Sequence, residues 1–383
     1  MPVPPARRDA VRRRLLRWYD AGHRRLPWRF PQGAADPYRV WLAEVMLQQT
    51  QVERVEVHYR RFLLRWPTLE SLASAGEAEV LAAWSGLGYY ARARHLLAAA
   101  REALRRHGGL PASLPALAAL PGFGRYTAGA VASMAFAIPA PAVDGNAARV
   151  LSRLFLVTGD PSARRTDERL WALAGALVPG AAGRGAARPG DFNQALMELG
   201  ATVCRPAAPA CVRCPLSSLC AARRAGRERG VPRPRRRPSR RPFRLACAVI
   251  ERRGRLLLWQ RPAVGLFGGL WAPPCAEVAA GASPRAALSA AARQGGLRLR
   301  VGRRLGAVRR TLTHLDLALE AYRCQGMDPG PSARGRWASW SRLPRLGIPS
   351  AMRALLDEVR PRRGGEKRRR VRERPLTSDL PTV

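Results

Sequence analysis

Leu120-Pro121-Gly122-Phe123-Gly124 reads as a tight turn, and the small-residue stretch from about Tyr126 to Phe136 reads as a helix. Gly122 and Gly124 permit backbone angles closed to other residues and let another backbone come near. The turn ends at a helix N-terminus, where free N–H groups and the dipole favour an anion. Two apolar helices joined in this way can grip one phosphate, although an ordinary corner of a helical core reads the same. About twenty residues on, a proline-rich turn delivers one carboxylate, Asp144, just before the next helix. A second carboxylate, Glu44, is flanked by Trp41, Leu42, Val45 and Met46. Gln48 and Gln51 follow it at i+4 and i+7 on one face, a pattern open to a cleft or to a solvated surface.

Cys204, Cys211, Cys214 and Cys220 fall within seventeen residues. In a reducing compartment such a group points to a metal, and four thiolates suit zinc or a four-iron cluster. The loop bears no obvious catalytic group, so its role reads as structural. Gly86-Leu87-Gly88-Tyr89-Tyr90 suits a loop pushed against stacked bases, or a packed turn between helices.

The elements that must hold these groups follow from periodicity. Residues 1–30 read as a basic helix, and apolar residues from Tyr38 to Trp66 recur at three- and four-residue steps as one long helix. Helices are expected at 92–106, 113–119, 126–136, 145–158, 167–178 and 191–203, with no alternating strand pattern before residue 243. That makes the first domain, 1–220, all-α. Residues 221–242 read as an arginine- and proline-rich linker. The period then changes. A hairpin turning at Arg253-Gly254, a helix at 284–294, strands at 297–301 and 315–323 and a closing helix at 350–359 make a small α/β domain, 243–360. The tail, 361–383, reads as basic and disordered.

The 383 residues carry a formal charge of +40, almost all from arginine, since the only lysine is Lys367. The linker accounts for +9 and the tail for +5, which leaves +26 on the rest. A body that basic implies a polyanionic partner, with nucleic acid leading. No apolar run approaches a membrane span and no signal peptide is seen, so a cytoplasmic protein with reduced cysteines and no membrane partner is expected.

Together these motifs resemble the MutY-type adenine DNA glycosylases of the helix–hairpin–helix superfamily, which have an endonuclease III-like core. The segments that carry the resemblance are AEVMLQQTQV at 43–52, GLGYYAR at 86–92, LPGFGRYTAGA at 120–130, VDGNAARVLSRL at 143–154, FNQALMELGATVC at 192–204 and the cysteine loop. The resemblance implies a [4Fe-4S] cluster on the four cysteines and a Nudix-like C-terminal domain that reads 8-oxoguanine. It implies base excision repair by a DNA-associated monomer, which removes adenine from double-stranded DNA holding A:8-oxoguanine or A:G mispairs. Such a base must leave the stack before any side chain reaches it. Cleaving its N-glycosidic bond then takes one carboxyl to protonate the base and one carboxylate to face an oxocarbenium-like sugar. By resemblance Glu44 is the general acid, and Asp144, kept ionised with help from Asn146, is the carboxylate at the sugar. Tyr126 lies near the scissile bond, and Gly122 and Gly124 form the hairpin. Gln49 and Tyr89 wedge into the duplex, with Thr50 and Leu87 beside 8-oxoguanine. Where the family often carries Phe-Ser-His in a loop at 8-oxoguanine, this chain has Leu312-Thr313-His314, without the aromatic ring.

Two other enzymes fit less well. A glycosylase/lyase resembling endonuclease III needs an amine, and no lysine precedes Lys367; Tyr126 stands where that lysine would be. A Nudix pyrophosphohydrolase needs several carboxylates around Mg²⁺, but Glu277 is the only one from 277 to 296. A protein that binds lesions without cutting would have little use for the Glu44–Asp144 pair.

Overall fold

A computed structural model describes residues 3–30, 35–180, 188–233, 239–326 and 335–361. Linker residues 234–238 and the tail beyond 361 lie outside the described residues. The chain forms two compact units. The first holds residues 1–241, 260–271 and 342–350, and the second holds 242–259, 272–341 and 351–383. Two short segments within the stretch expected as the second domain therefore belong to the first unit. Leu270, in one of them, is fully buried in the helical core.

The first unit is helical through residue 240. It comprises α1 (Pro5–Gly22), α2 (Pro37–Leu47), α3 (Val52–Arg65), α4 (Leu69–Ala73), α5 (Glu77–Ala83), α6 (Ala91–His107), α7 (Leu114–Ala118), α8 (Arg125–Phe136), α9 (Gly145–Phe155), α10 (Arg164–Leu177), α11 (Pro189–Thr202) and the short α12 (Ala221–Arg224). One apolar cluster gathers α2–α8, and a second gathers α1 and α9–α11. Among the described residues no helix is long and apolar enough to cross a membrane.

The single helix expected from Tyr38 to Trp66 is two. Asp36 starts α2 by accepting from Tyr38 N at 2.8 Å and Arg39 N at 3.3 Å. The helix stops at Leu47 and Gln49 takes φ 57°. Arg92 stabilises that stop by donating to the carbonyls of Val45 (2.6 Å) and Met46 (3.0 Å). The apolar period resumes in α3, so the break leaves no gap in the pattern. Half of the linker is also structured. Ala222 and Val231 are buried, and Arg153 donates to Val231 O at 2.8 Å.

In the glycine turn only Gly122 needs its glycine for backbone reasons. Its φ is +74°, and a Cβ there would come within 2.5 Å of His95 Cβ. Gly124 has φ −81° with nothing within 4 Å of a Cβ position, so it leaves open space before an α8 N-terminus that has no side-chain cap.

The second unit is built on a sheet of order β3-β2-β1-β6-β5, with β4 on β1 and β7 on β2. Its strands are β1 (Arg241–Arg252), β2 (Arg255–Gln260), β3 (Trp271–Ala272), β4 (Cys275–Glu277), β5 (Leu299–Thr311), β6 (Leu315–Gly326) and β7 (Gly335–Ser339). Arg253 (φ 50°) and Gly254 (φ 71°) make the two-residue hairpin turn expected there. The expected strand at 297–301 runs on to Thr311. Register shifts between Val301 and Gly306 break its two-residue alternation, which hides the rest of β5 from a pattern reading. The helices are α13 (Pro284–Gln294) and α14 (Ser350–Val359).

Candidate active site

Glu44 sits on α2 among apolar neighbours and is 6% exposed. Tyr126, the second residue of α8, donates its hydroxyl to Glu44 Oε2 at 2.5 Å and lies 3.3 Å from Met197 Sδ of α11. Burial is the main cause that pushes the Glu44 carboxyl up to about 7, and Asp144 adds to it. The Tyr126 hydrogen bond and Arg29 pull the other way. Tyr126 itself is driven well above its ordinary value, first by burial and then by Glu44 and Asp144, so its proton stays on the phenol. A buried carboxyl that exchanges its proton near neutrality has the properties of a general acid.

Asp144 is the N-cap of α9. Its Oδ1 accepts from Ala147 N at 2.7 Å and its Oδ2 from Asn146 Nδ2 at 2.8 Å. Burial raises its pKa, while these hydrogen bonds and Arg149 oppose the rise. The net direction is upward, so the helix start and Asn146 only partly offset desolvation. Asn146 is held in turn. Its Oδ1 accepts from Arg149 Nη2 at 2.8 Å, and Arg149 also donates to Gly200 O (2.8 Å) and Cys204 O (2.8 Å). Gly200 admits this packing because a Cβ there would fall 2.6 Å from Asn146 Cβ. The catalytic-loop candidate and the first cysteine thus share one guanidinium.

Composition and spacing did not single out a buried ion cluster nearby. Glu198 on α11 is 2% exposed and is held by Arg24 through both oxygens (2.8 Å each) and by Arg29 at 2.8 Å. Burial alone would raise its carboxyl, but the two arginines bring it down to about 2. The available signal was one acidic residue inside the apolar run Ala195-Leu196-Met197-Glu198-Leu199.

Gln49, Thr50, Leu87 and Tyr89 are brought together by Arg92. Its Nη2 donates to Thr50 Oγ1 (3.2 Å), Leu87 O (3.1 Å) and Gly88 O (3.2 Å), which ties the turn after α2 to the turn before α6. Gln49 (φ 57°) and Tyr89 (φ 46°) are both left-handed non-glycine residues, a conformation held against local preference. Tyr89 is 45% exposed, whereas Leu87 is buried in the helical core. Thr313 and His314 are both exposed at the tip of the β5–β6 hairpin, closed by Leu312 N to Leu315 O at 2.8 Å.

Cys204 follows α11, and Cys211, Cys214 and Cys220 lie on the short turns after it. Cys214 is pushed up to about 11 by burial first and then by the other three thiols. Arg153 Nη1 donates to Cys204 Sγ at 3.3 Å, and Cys220 Sγ donates to Arg153 O at 3.3 Å. Among the described residues no three His, Cys, Asp or Glu side chains already converge as metal ligands. The donor set nonetheless fits a thiophilic group, with four thiols on one loop in electrostatic reach of each other and a cationic Arg153 beside the first.

Residues 42–175 match the model of the HhH-GPD superfamily of base excision DNA repair proteins. Residues 245–358 match a NUDIX domain. The chain is 39% identical over 407 residues to the adenine DNA glycosylase of Homo sapiens, across 90% of this chain and 73% of that protein. It is 38% identical to the adenine DNA glycosylase of Rattus norvegicus, across 90% of this chain and 77% of that one. A solved thermostable thymine-DNA glycosylase is 29% identical over 57% of this chain and 98% of its own, at a TM-score of 0.49. With an identity of this order across nine-tenths of its length, and an HhH-GPD region followed by a NUDIX domain, the chain belongs to the adenine DNA glycosylase family.

Proposed function

We propose that this protein is a monofunctional glycosylase that acts as a monomer on duplex DNA and hydrolyses the N-glycosidic bond of adenine mispaired with 8-oxoguanine or guanine. One observation carries the reading: Glu44 is buried, hydrogen-bonded to Tyr126 and raised to about 7, with the Asp144 carboxyl in its field. Glu44 donates its proton to N7 of the flipped base, which makes adenine a better leaving group. The bond from the sugar C1′ to the base then breaks. Asp144, held by Ala147 N and Asn146, faces the cationic sugar until water adds, gives up one proton to solvent and leaves an abasic site. The developing cation favours the ionised form of Asp144 against its burial. No lysine precedes Lys367, so this chain has no lysine amine here to attack the sugar and cut the strand.

Cys204, Cys211, Cys214 and Cys220 would hold a [4Fe-4S] cluster, which when bound cross-links the loop and serves structure. The α8 N-terminus at Gly124 would take a DNA phosphate, with Gln49 and Tyr89 at the duplex. The second unit would read the base opposite adenine, through Thr313 and His314. The experiment is incubation with duplexes holding A opposite 8-oxoguanine, G or T, with and without alkali. Adenine release from the first two, with breaks only after alkali, supports the reading. Cleavage of A:T at an equal rate, or breaks without alkali, refutes it.

A further inference from the structure

Two cysteines outside the 204–220 loop face each other across the sheet. In the antiparallel pair of β1 and β4, Leu245 stands opposite Glu277, Ala246 opposite Ala276 and Cys247 opposite Cys275. The flanking bonds run from Ala248 N to Pro274 O at 2.7 Å and from Val278 N to Arg244 O at 3.0 Å. Hydrogen-bonded and non-hydrogen-bonded pairs alternate along such a ladder, so Cys247 and Cys275 form a non-hydrogen-bonded pair. In that kind of pair the Cα atoms stand about 4.5 Å apart with both side chains on one face. Disulfides span roughly 4.4–6.8 Å between Cα atoms, so the backbone already suits one.

Alternation along β1 sets the face. Ala246 and Ala248 join the cluster that holds Leu288 and Ala292 of α13. Cys247 points the other way, and its Sγ lies 3.8 Å from Met352 Sδ of α14. Cys324 is buried in the α13 cluster, on the opposite face, and does not compete for either thiol. Cys247 is fully buried while Cys275 is partly exposed, which sets the order of attack by an oxidant from solvent.

We infer that Cys247 and Cys275 form an oxidisable dithiol site that takes a hydroperoxide as its co-reactant and closes to a cross-strand disulfide. The Cys275 sulfur attacks the O–O bond, keeps one oxygen as a sulfenic acid, and hydrogen peroxide leaves as water. The Cys247 sulfur then attacks the Cys275 sulfur. The S–S bond forms, the S–O bond breaks, and the hydroxyl leaves with the thiol proton as a second water. The two thiols lose two electrons and the peroxide gains them. The product staples β4 to β1 and closes the intervening chain into a loop, which restricts the unfolded state. This site is separate from the glycosylase chemistry and stands whether or not that reading holds.

The test uses the full-length protein treated with hydrogen peroxide, alkylated under denaturing conditions and digested without reductant. The expected product is a peptide containing Cys247 linked to one containing Cys275, lighter by two hydrogens and released by dithiothreitol, while Cys324 remains alkylated. Calorimetry should show the unfolding midpoint of the second unit rising, on the order of 10 °C. Cys247→Ser should leave a Cys275 sulfenic acid that dimedone traps, which keeps the test informative even if the linked peptide is scarce. Cys247 and Cys275 both alkylated after peroxide with no dimedone adduct in the variant, or a link from either to Cys324, would overturn the inference.

Discussion

The Tyr126 hydroxyl donates to Glu44 Oε2 at 2.5 Å, joining the second residue of α8 to the last turn of α2 inside a buried pocket. This bond works against burial in setting the Glu44 carboxyl at about 7. The protonated acid is the active form, so the rate should fall as pH rises through that value, while protonation of Asp144 limits it on the acid side. Tyr126→Phe removes an influence that lowers the pKa. The alkaline limb of the single-turnover rate should therefore move to higher pH, by about one to two units for a hydrogen bond to a charged group. A limb that stays in place or moves to lower pH contradicts this account of the pair.

Glu198 makes a separate prediction about stability. Its folded pKa is depressed to about 2 by Arg24 and Arg29 after burial has pushed the other way. Its contribution is therefore present above the ordinary carboxylate range and lost as pH falls toward about 2. Glu198→Ala leaves two arginines without their partner and should cost about 3–5 kcal/mol in urea unfolding near neutrality. A loss under about 1 kcal/mol would mean that both arginines find water without strain.

The exposed hairpin tip bears on mispair choice. His314→Ala and Thr313→Ala should keep adenine release but narrow the rate gap between 8-oxoguanine and guanine duplexes, by about ten- to hundredfold for one good contact. These point variants are a cleaner test than deletion of everything after Arg241. That deletion would strip Leu270 from the helical core and so perturb the first unit as well. An unchanged gap in both variants would move the reader to the turns at Gln49, Thr50 and Leu87.

How far the sequence could be read depends on what makes a pattern. Glu44 stood out because one carboxylate amid Trp41, Leu42, Val45 and Met46 has few places to go, and Asp144 because a capping residue before a helix is a local signal. The helical character of the first unit and the Arg253-Gly254 hairpin rest on short-range periodicity and turn chemistry. Contacts distant in sequence left no such trace. Arg92 ends α2 through Val45 O, 47 residues away, and Arg149, which holds Asn146, reaches Cys204 O 55 residues away. The glycines of the hairpin look equivalent in sequence, yet only Gly122 is required by its backbone angle. The burial of the Leu87 side chain in the core was not legible from the glycine-bracketed motif around it.

The cysteine loop predicts a colour. Purified protein should be brown, with broad absorbance near ~400 nm and iron bound. Cys211→Ser should lower both yield and DNA affinity, because the short turns of the loop bury little of their own. Fully active, colourless protein containing zinc and no iron would refute the cluster.

The most direct test of the central claim is single-turnover adenine release from an A:8-oxoguanine duplex by the wild-type protein and by Glu44→Gln, with duplex binding measured alongside. The substitution removes the proton and little of the shape. The account predicts that release falls by at least about 10²–10⁴-fold while binding to the duplex is kept. Release at near the wild-type rate by Glu44→Gln would contradict it.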